Sequence, residues 1–464
     1  MRELCDAIVV DGCGLMTSAV GLFQVKSEAV APLDVADEFT PAFPQTLEDL
    51  DVGPGFLTDL ALKTVSLDAD CTTARVAQRL RVGFSLTNRL LERLVAEKLI
   101  EKKGMAILFN YRYGMLEHGW ARVDRLMKEC SYVGPAPVSL KAYTEMITGQ
   151  VRARRPVPRV VLERALSHLL LSETTKQALR LVSSTGRSLF LSGPSGNGKT
   201  AMALALVDAI LGSLWIPFAI EVDGQVIRVF DSHNHQPVEP PRTEFDQRWV
   251  RIRPPLVVVG GELTIQSLDI TCPDTQRLYE APFQVKANGG VLVVDDLGRQ
   301  RCSARELLNR WINPLETGVD YLTLSTGKKL TMPFELTVVF ATNLTGADLE
   351  DEAFLRRMGY RLTVTSPNPN AYAAIFNRYA HTHGLAVDPH FIAHVLGRYV
   401  DEKRTPKCCE PRDLIERAID LCKVRAEPNQ LTTEILDAAW DAYFGVSHQC
   451  NNQGQLLKLE SVVL

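Results

Sequence analysis

The hydrophobic pattern contains three apolar runs that predict strands buried on both faces. They cover residues 189–191, 291–294 and 336–341, and polar or glycine residues follow each of them directly. Continuous burial without alternation is typical of central strands in a parallel sheet. Between and after these runs, apolar residues recur with the period of an amphipathic helix. The pattern therefore predicts an α/β fold built on a parallel sheet.

Residues 46–130 carry a different pattern, in which three amphipathic helices precede two strands and a closing helix. The order of helices and two-stranded wing resembles a winged helix-turn-helix of α+β type. Its third helix would present Arg89 and Arg93 on the outer face beside Asn88. The region contains 13 Lys or Arg against 12 Asp or Glu, which is far from the basic footprint of a duplex binder. Protein docking is therefore favoured, and DNA binding stays open as the alternative.

The remaining stretches predict the domain layout. Residues 1–45 lack a clear period and predict a poorly ordered or loosely docked arm, and prolines mark residues 131–159 as a linker. Two amphipathic helices between residues 160 and 182 lead into the α/β domain at 160–366. That domain contains a β-rich insertion at about 221–260, with a tight hairpin turn at Asp223 and Gly224. A helical lid at 367–445 and a C-terminal tail at 446–464 follow.

Composition narrows the class of protein. The 464 residues carry a net charge of −4, which gives no overall attraction to nucleic acid or to an acidic membrane. The 10 cysteines lack C-x-x-C spacing, which favours free thiols in a reducing compartment. No apolar stretch reaches the roughly 18 residues of a membrane span, and Asp11 breaks the nearest one. We expect a cytoplasmic protein without a membrane span or signal peptide.

A glycine-rich loop joins the first buried strand to a strong helix and carries the clearest chemistry. It spells G-x-x-x-x-G-K-T. In such a loop backbone N–H groups turn toward the phosphates of a nucleotide, Lys199 reaches the β- and γ-phosphates, and the Thr200 hydroxyl is a ligand of Mg²⁺. The predicted nucleotide-binding residues are Gly193, Pro194, Ser195, Gly196, Asn197, Gly198, Lys199 and Thr200.

Polar side chains at the ends of the other two buried strands supply the rest of the predicted site. Asp295 and Asp296 end one strand; the first would hold Mg²⁺ and the second would orient and polarise the attacking water. Asn343 ends the next strand and would lie between the γ-phosphate and the water. These residues predict a nucleoside triphosphate, ATP, with Mg²⁺ as the cofactors.

Arginines farther along the chain are the remaining candidates. Arg356 and Arg357 follow the Asn343 strand on a short helix, from which one of them would reach the γ-phosphate of a neighbouring subunit as an arginine finger. Arg412 stands at the start of a helix in the lid, where it would contact the nucleotide from above.

The motifs together resemble the AAA+ ATPases over roughly residues 160–445. The phosphate loop, the Asp-Asp strand, Ala-Thr-Asn, Phe-Leu-Arg-Arg and Pro-Arg-Asp-Leu occur in that family's order. A hairpin-like stretch at 320–331 is similar to the groups with a β-hairpin insert, such as MoxR, NtrC and ClpX. The chain also resembles bacterial AAA family ATPases, or ATPases with chaperone activity, that carry a winged-helix-like N-terminal part.

The resemblance implies a ring of identical subunits, usually six, in which each site is completed by an arginine of the neighbour. One departure is Asp296, where most members have Glu; its side chain is about 1.5 Å shorter, so slower hydrolysis is expected. The leading hypothesis is an ATPase that remodels or assembles protein partners recruited by the N-terminal region. The alternatives are a DNA-associated regulator that uses the winged helix, and a slow nucleotide switch or scaffold.

Overall fold

The computed structural model describes residues 34–107, 109–210, 212–240, 244–273, 277–344 and 356–445. The helices are α1 (Val35–Glu38), α2 (Pro54–Ser66), α3 (Thr73–Leu80), α4 (Phe84–Ala96), α5 (Glu117–Glu129), α6 (Leu140–Arg152), α7 (Arg159–Ala165), α8 (Glu173–Thr185), α9 (Lys199–Ala209), α10 (Phe283–Lys286), α11 (Ala304–Thr317), α12 (Pro369–Thr382), α13 (Pro389–Asp401), α14 (Glu410–Val424) and α15 (Thr433–Phe444).

The strands are β1 (Cys71–Thr72), β2 (Ile100–Ile107), β3 (Asn110–Met115), β4 (Val138–Ser139), β5 (Leu189–Ser192), β6 (Leu214–Pro217), β7 (Ala219–Val222), β8 (Gln225–Arg228), β9 (Trp249–Ile252), β10 (Leu256–Val259), β11 (Tyr279–Glu280), β12 (Val291–Val294), β13 (Val319–Thr323), β14 (Lys329–Pro333), β15 (Thr337–Thr342) and β16 (Tyr360–Thr363). Short 3₁₀ turns cover Glu48–Leu50 and Gln266–Leu268.

A parallel sheet lies at the centre of the α/β domain. Its strands follow the spatial order β10, β12, β15, β5, β16, and all neighbouring pairs are parallel. β12 and β15 are buried along their whole length, as the continuous apolar runs predict. The predicted α/β fold with a parallel sheet is therefore confirmed. Because parallel strands end at one edge, the segments that follow β5, β12 and β15 are brought together there.

The N-terminal region packs helices α2 to α5 against a small antiparallel sheet. That sheet has the order β1, β3, β2, and the predicted wing is the hairpin of β2 and β3. Thr72 begins α3 with its hydroxyl accepting from the Arg75 amide at 3.3 Å. The elements occur in the predicted order, while the winged-helix assignment itself stays a prediction. The core of this region also includes Ala219 and Val226 of the β insertion.

The predicted proline-marked linker at 131–159 contains a helix. The Ser139 hydroxyl accepts from the Ala142 amide at 3.1 Å and begins α6, which buries Tyr143, Ile147 and Gln150. Val138 pairs with Ile220 of β7, so the chain joins a sheet before the helix starts. These 29 positions therefore hold the N-terminal region firmly to the α/β domain.

The β insertion has different limits from the predicted 221–260. It begins with β6 at Leu214, and its antiparallel pairs are β6 with β9 and β7 with β8. The predicted turn at Asp223 and Gly224 is confirmed, since both residues have positive φ angles of 49° and 79° between β7 and β8. β10 pairs with β12 and belongs to the central sheet, so the prediction that included it in the insertion is wrong.

Residues 34–45 of the predicted arm are docked rather than loose. The Asp34 carboxylate pairs with Arg251 at 2.7 Å and accepts from the Ser213 amide at 2.9 Å. The carbonyl of Ala36 accepts from the indole of Trp215 at 2.9 Å, which is fully buried. The acidic start of α1 is therefore anchored on the insertion. Residues 1–33 of that arm lie outside the described part of the chain.

A hairpin of β13 and β14 precedes β15, as the sequence predicts for residues 320–331. Its inner side chains, including Leu322 and Met332, pack into the core of the insertion. At its tip, Lys328 forms an ion pair with Asp223 of the β7–β8 turn. The two hairpins therefore support each other.

The predicted lid is helical and consists of α12 to α15 around one core that includes Tyr372, Tyr399 and Trp440. The predicted tail at 446–464 lies outside the described residues. In the part of the chain that the structure describes, no helix has the length and apolar character needed to cross a membrane.

Candidate functional site

The phosphate loop lies between β5 and α9 at the carboxyl edge of the sheet. Gly193 and Gly196 have φ angles of 137° and 82°, which L side chains rarely adopt. A Cβ at Gly193 would collide with the carbonyl oxygen of Val364, and one at Gly196 would lie 2.7 Å from the Cys409 sulfur. Glycine is therefore needed at both positions for conformation and for space.

The amino terminus of α9 points into this loop. The helix has 11 residues and starts at Lys199, and among the described residues no side chain caps it. The amide groups of its first turn therefore keep their hydrogen-bonding capacity for an anion, which the helix dipole also favours. Because this loop provides backbone donors, left-handed glycines and a helix terminus together, it fits the phosphate groups of a nucleotide.

Lys199 joins the loop to the end of β15. Its ammonium group donates to the carbonyls of Gly193 at 2.8 Å and Pro194 at 3.0 Å, and to Asn343 Oδ1 at 2.7 Å. Burial lowers the pKa of Lys199, and the charges of the two carboxylates that follow β12 oppose that change. Lys199 therefore links the phosphate loop to Asn343 at the end of β15.

Thr200 contacts the first of those carboxylates. Its hydroxyl lies 3.0 Å and 2.9 Å from the two carboxylate oxygens of Asp295. The backbone amide of Asp295 donates to the carbonyl of Val259 at 2.9 Å. This bond holds Asp295 at the end of the sheet. A hydroxyl and a carboxylate are the hard oxygen donors that Mg²⁺ prefers. This pair fits a magnesium ion held partly by phosphate oxygens.

Asp296 adopts an unusual backbone conformation. Its φ angle is 49°, its side chain is about half exposed, and Arg299 lies 3.8 Å from it. Left-handed backbone is less costly for Asp than for most other non-glycine residues. Position 296, which has Asp where the sequence analysis noted Glu in most AAA+ members, therefore has a backbone conformation that suits the short Asp side chain.

Arg356 and Arg357 lie at the opposite edge of the sheet. They line a cleft of about 590 Å³ together with residues that immediately precede β5, β12 and β16. Arg357 donates to Glu316 at 2.9 Å. The structure therefore does not bring these arginines to the phosphate loop of their own chain. Residues 345–355, which include most of the predicted short helix, lie outside the described part.

The lid reaches the phosphate loop through two cysteines and not through the predicted arginine. The amide of Cys409 donates to Gly196 at 2.9 Å, and that of Cys408 donates to Asn197 Oδ1 at 3.1 Å. Arg412 lies in the first turn of α14, half exposed, and its guanidinium binds Asp413 at 2.9 Å and 3.0 Å. Sequence reasoning missed the cysteine contacts. Their position directly before the α14 start is the signal that was available.

Comparisons with known proteins add little to this geometry. A family model described as a domain of unknown function (DUF8689) matches residues 368–442, which form the lid. The comparison with curated proteins finds no match.

Among solved structures, RuvB of Thermotoga maritima, described as a Holliday junction branch migration motor, is 17% identical. The match covers 63% of this chain and 72% of that one, with a TM-score of 0.34. NtrX from Brucella abortus in complex with ADP is 15% identical over 59% and 56% of the two chains, with a TM-score of 0.36. TM-scores this low do not support an argument about function, which therefore rests on the site.

Proposed function

We propose that this chain is a Mg²⁺-dependent ATPase of the AAA+ type. The observation that carries the proposal is the convergence of the Thr200–Asp295 pair and the Lys199–Asn343 pair at one uncapped helix terminus. The amides of the phosphate loop and the Lys199 ammonium hold the triphosphate. Thr200 and Asp295 hold Mg²⁺, which neutralises charge on the phosphates when it is bound.

In this proposal Asp296 and Asn343 orient the water that attacks the γ-phosphorus. Asp296 accepts a hydrogen bond from this water and so aligns it, and Asn343 holds the same water from the opposite side. Arg356 or Arg357 acts on the nucleotide of a neighbouring copy, because both lie at the sheet edge remote from their own loop. Each site is then completed by a second subunit, and a closed ring supplies that arrangement for every copy.

The partner of this ATPase is proposed to be a protein that docks on residues 46–130. That region is charge-balanced, and it shares a hydrophobic core with the insertion of the α/β domain, so a force or movement can pass between them. Remodelling or assembly of the docked protein would be the output of hydrolysis.

The test is ATP turnover by the purified full chain across a range of protein concentrations. Specific activity is expected to rise with concentration as subunits associate, and Lys199→Ala is expected to weaken ATP binding and abolish turnover. The exposed Lys423→Ala is a matched control, since Lys423 lies on a surface of the lid. Absence of turnover at every concentration would refute the enzymatic part.

A DNA-associated regulator is the second candidate, because α4 exposes Arg89 and Arg93. Asn88 on the same helix binds Glu92 at 2.9 Å, which places an acidic group among these arginines. Salt-dependent binding of duplex DNA by the full chain, weakened by Arg89→Ala or Arg93→Ala, would favour this function. No binding at low salt would leave the protein-docking function.

A further inference from the structure

The carboxylate pair after β12 sits in a tight turn that one side chain closes. Gln300 Nε2 donates to the carbonyl of Asp295 at 2.8 Å and to that of Asp296 at 3.2 Å. Its Oε1 accepts from the amide of Gly298 at 2.8 Å. A single amide side chain thus binds both carbonyls of the carboxylate pair and one N–H of the same turn.

This turn needs external support at Asp296. A φ angle of 49° is unfavourable for a residue with a Cβ and persists only where surrounding contacts hold it. The Arg299 amide donates to the Asp296 carbonyl at 2.9 Å, and the Asp296 amide binds the Asp295 carboxylate at 3.1 Å. The Gln300 side chain adds hydrogen bonds to the backbone carbonyls of Asp295 and Asp296.

The chemistry of the amide group matters. Gln both donates and accepts, so it satisfies carbonyls and an N–H at the same time. A glutamate of the same size would keep the bond from Gly298 but would lose donation to the two carbonyls. Because the carbonyl of Asp296 belongs to the peptide unit that sets the direction of its Cβ, a change in these bonds redirects the carboxylate.

We propose that Gln300 is a positioning residue that aims the Asp296 carboxylate at the attacking water. The inference rests on the proposed ATPase function, in which Asp296 orients that water. Gln300 touches neither nucleotide nor Mg²⁺ in this arrangement and acts only through the backbone of the turn. Ground-state binding of ATP by Lys199 and Thr200 is therefore independent of it.

The first test compares Gln300→Ala and Gln300→Glu with the full-length wild-type chain in steady-state ATP hydrolysis. For both variants kcat is expected to fall about tenfold to a hundredfold, the scale of a misplaced catalytic group, with KM for ATP and binding of a fluorescent ATP analogue unchanged. Glu262→Ala is the matched control, because Glu262 closes the neighbouring strand end by accepting from Gly260 at 2.9 Å without contacting the carboxylate pair. Its kcat is expected to stay at the wild-type value.

The second test separates positioning from loop stability. Adding Gln300→Ala to Asp296→Asn is expected to cause no further loss of kcat, because the group that Gln300 aims is already gone. An equal loss in both backgrounds, or a wild-type kcat in Gln300→Ala and Gln300→Glu, would overturn the inference while leaving the ATPase proposal intact. A wild-type chain that binds ATP but never hydrolyses it would overturn both.

Discussion

The Lys199 ammonium lies 2.7 Å from the side-chain oxygen of Asn343, although the two residues are 144 positions apart in the chain. This bond connects the phosphate loop, which follows β5, to the end of the neighbouring strand β15. In the proposed function, the side chain that contacts a phosphate and the side chain that orients water are therefore joined by a direct hydrogen bond. Displacement of one changes the environment of the other.

Lys199→Ala and Asp296→Asn are expected to separate binding from hydrolysis. In the proposed function, the first removes the ammonium that contacts the phosphates, so ATP binding weakens. The second keeps that ammonium and the Thr200–Asp295 pair, so ATP binding persists while kcat falls by about 10² to 10⁴. Nucleotide titration and phosphate release measure the two effects. If function in cells survives Asp296→Asn and fails with Lys199→Ala, the protein is a slow switch or scaffold rather than a motor.

Mixed subunits test whether the remote arginines act on a neighbour. Arg356→Ala and Arg357→Ala are each assayed alone and mixed with Lys199→Ala. One of the two arginine variants is expected to be inactive alone and to regain turnover in the mixture, because its intact phosphate loop meets an intact arginine from the other chain. A mixture of Lys199→Ala and Asp296→Asn is the control and should stay inactive. Failure of both arginine mixtures would contradict action in trans.

Asp246 and Arg248 form a buried ion pair whose loss should destabilise the fold. The guanidinium binds both oxygens of Asp246 and donates to the carbonyls of Leu50 at 2.6 Å and Pro137 at 3.1 Å. Asp246→Ala is expected to cost about 3–5 kcal/mol, because it leaves a buried charge unpaired. Urea denaturation measures the loss. Lys423→Ala, which removes an exposed pair with Asp420, should cost less than about 1 kcal/mol.

His235 should make stability depend on pH below neutrality. Burial lowers its pKa from the ordinary 6.5, and its Nδ1 accepts from the Asp231 amide at 2.9 Å. The unfolded chain therefore binds a proton more readily, so stability falls as pH drops below 6.5 toward the lowered pKa of the folded chain. Melting temperatures between pH 8 and about pH 5 measure the slope.

His235→Gln is expected to reduce that slope, whereas substitution of the exposed His390 by Gln should leave it unchanged. Asp231 and Lys286 are the charged groups that act on His235, and both variants retain them. An unchanged slope in His235→Gln would contradict this assignment.

Residues at strand ends were the most predictable part of the site. The eight residues of the phosphate loop, together with Asp295 and Asn343, follow apolar strands directly, so local sequence was enough to predict that they converge. Gln300 was missed because its role depends on the carbonyls of a turn, and no side-chain pattern encodes those. The cysteine contacts from the lid were missed because they are made by backbone amides.

Helix α6 was not predicted because its buried face is not wholly apolar. Gln150 is buried and exchanges two hydrogen bonds with the backbone of Trp215, at 3.0 Å and 2.7 Å, so a polar residue occupies a core position. Pro135 and Pro137 precede the helix, and they led to the prediction of a linker. For β10, the short apolar run after a β-rich stretch gave no sign of which sheet it joins, since pairing with β12 is a long-range contact.

The shared core between residues 46–130 and the insertion has a consequence for dissecting this protein. Cutting the chain near residue 159 would expose Ala219 and Val226 to water and leave the guanidinium of Arg248 without the carbonyls of Leu50 and Pro137. A truncated α/β domain would then be prone to aggregate, and its inactivity would say nothing about the intact chain. Point substitutions in the whole chain are the sound way to assign roles to its parts.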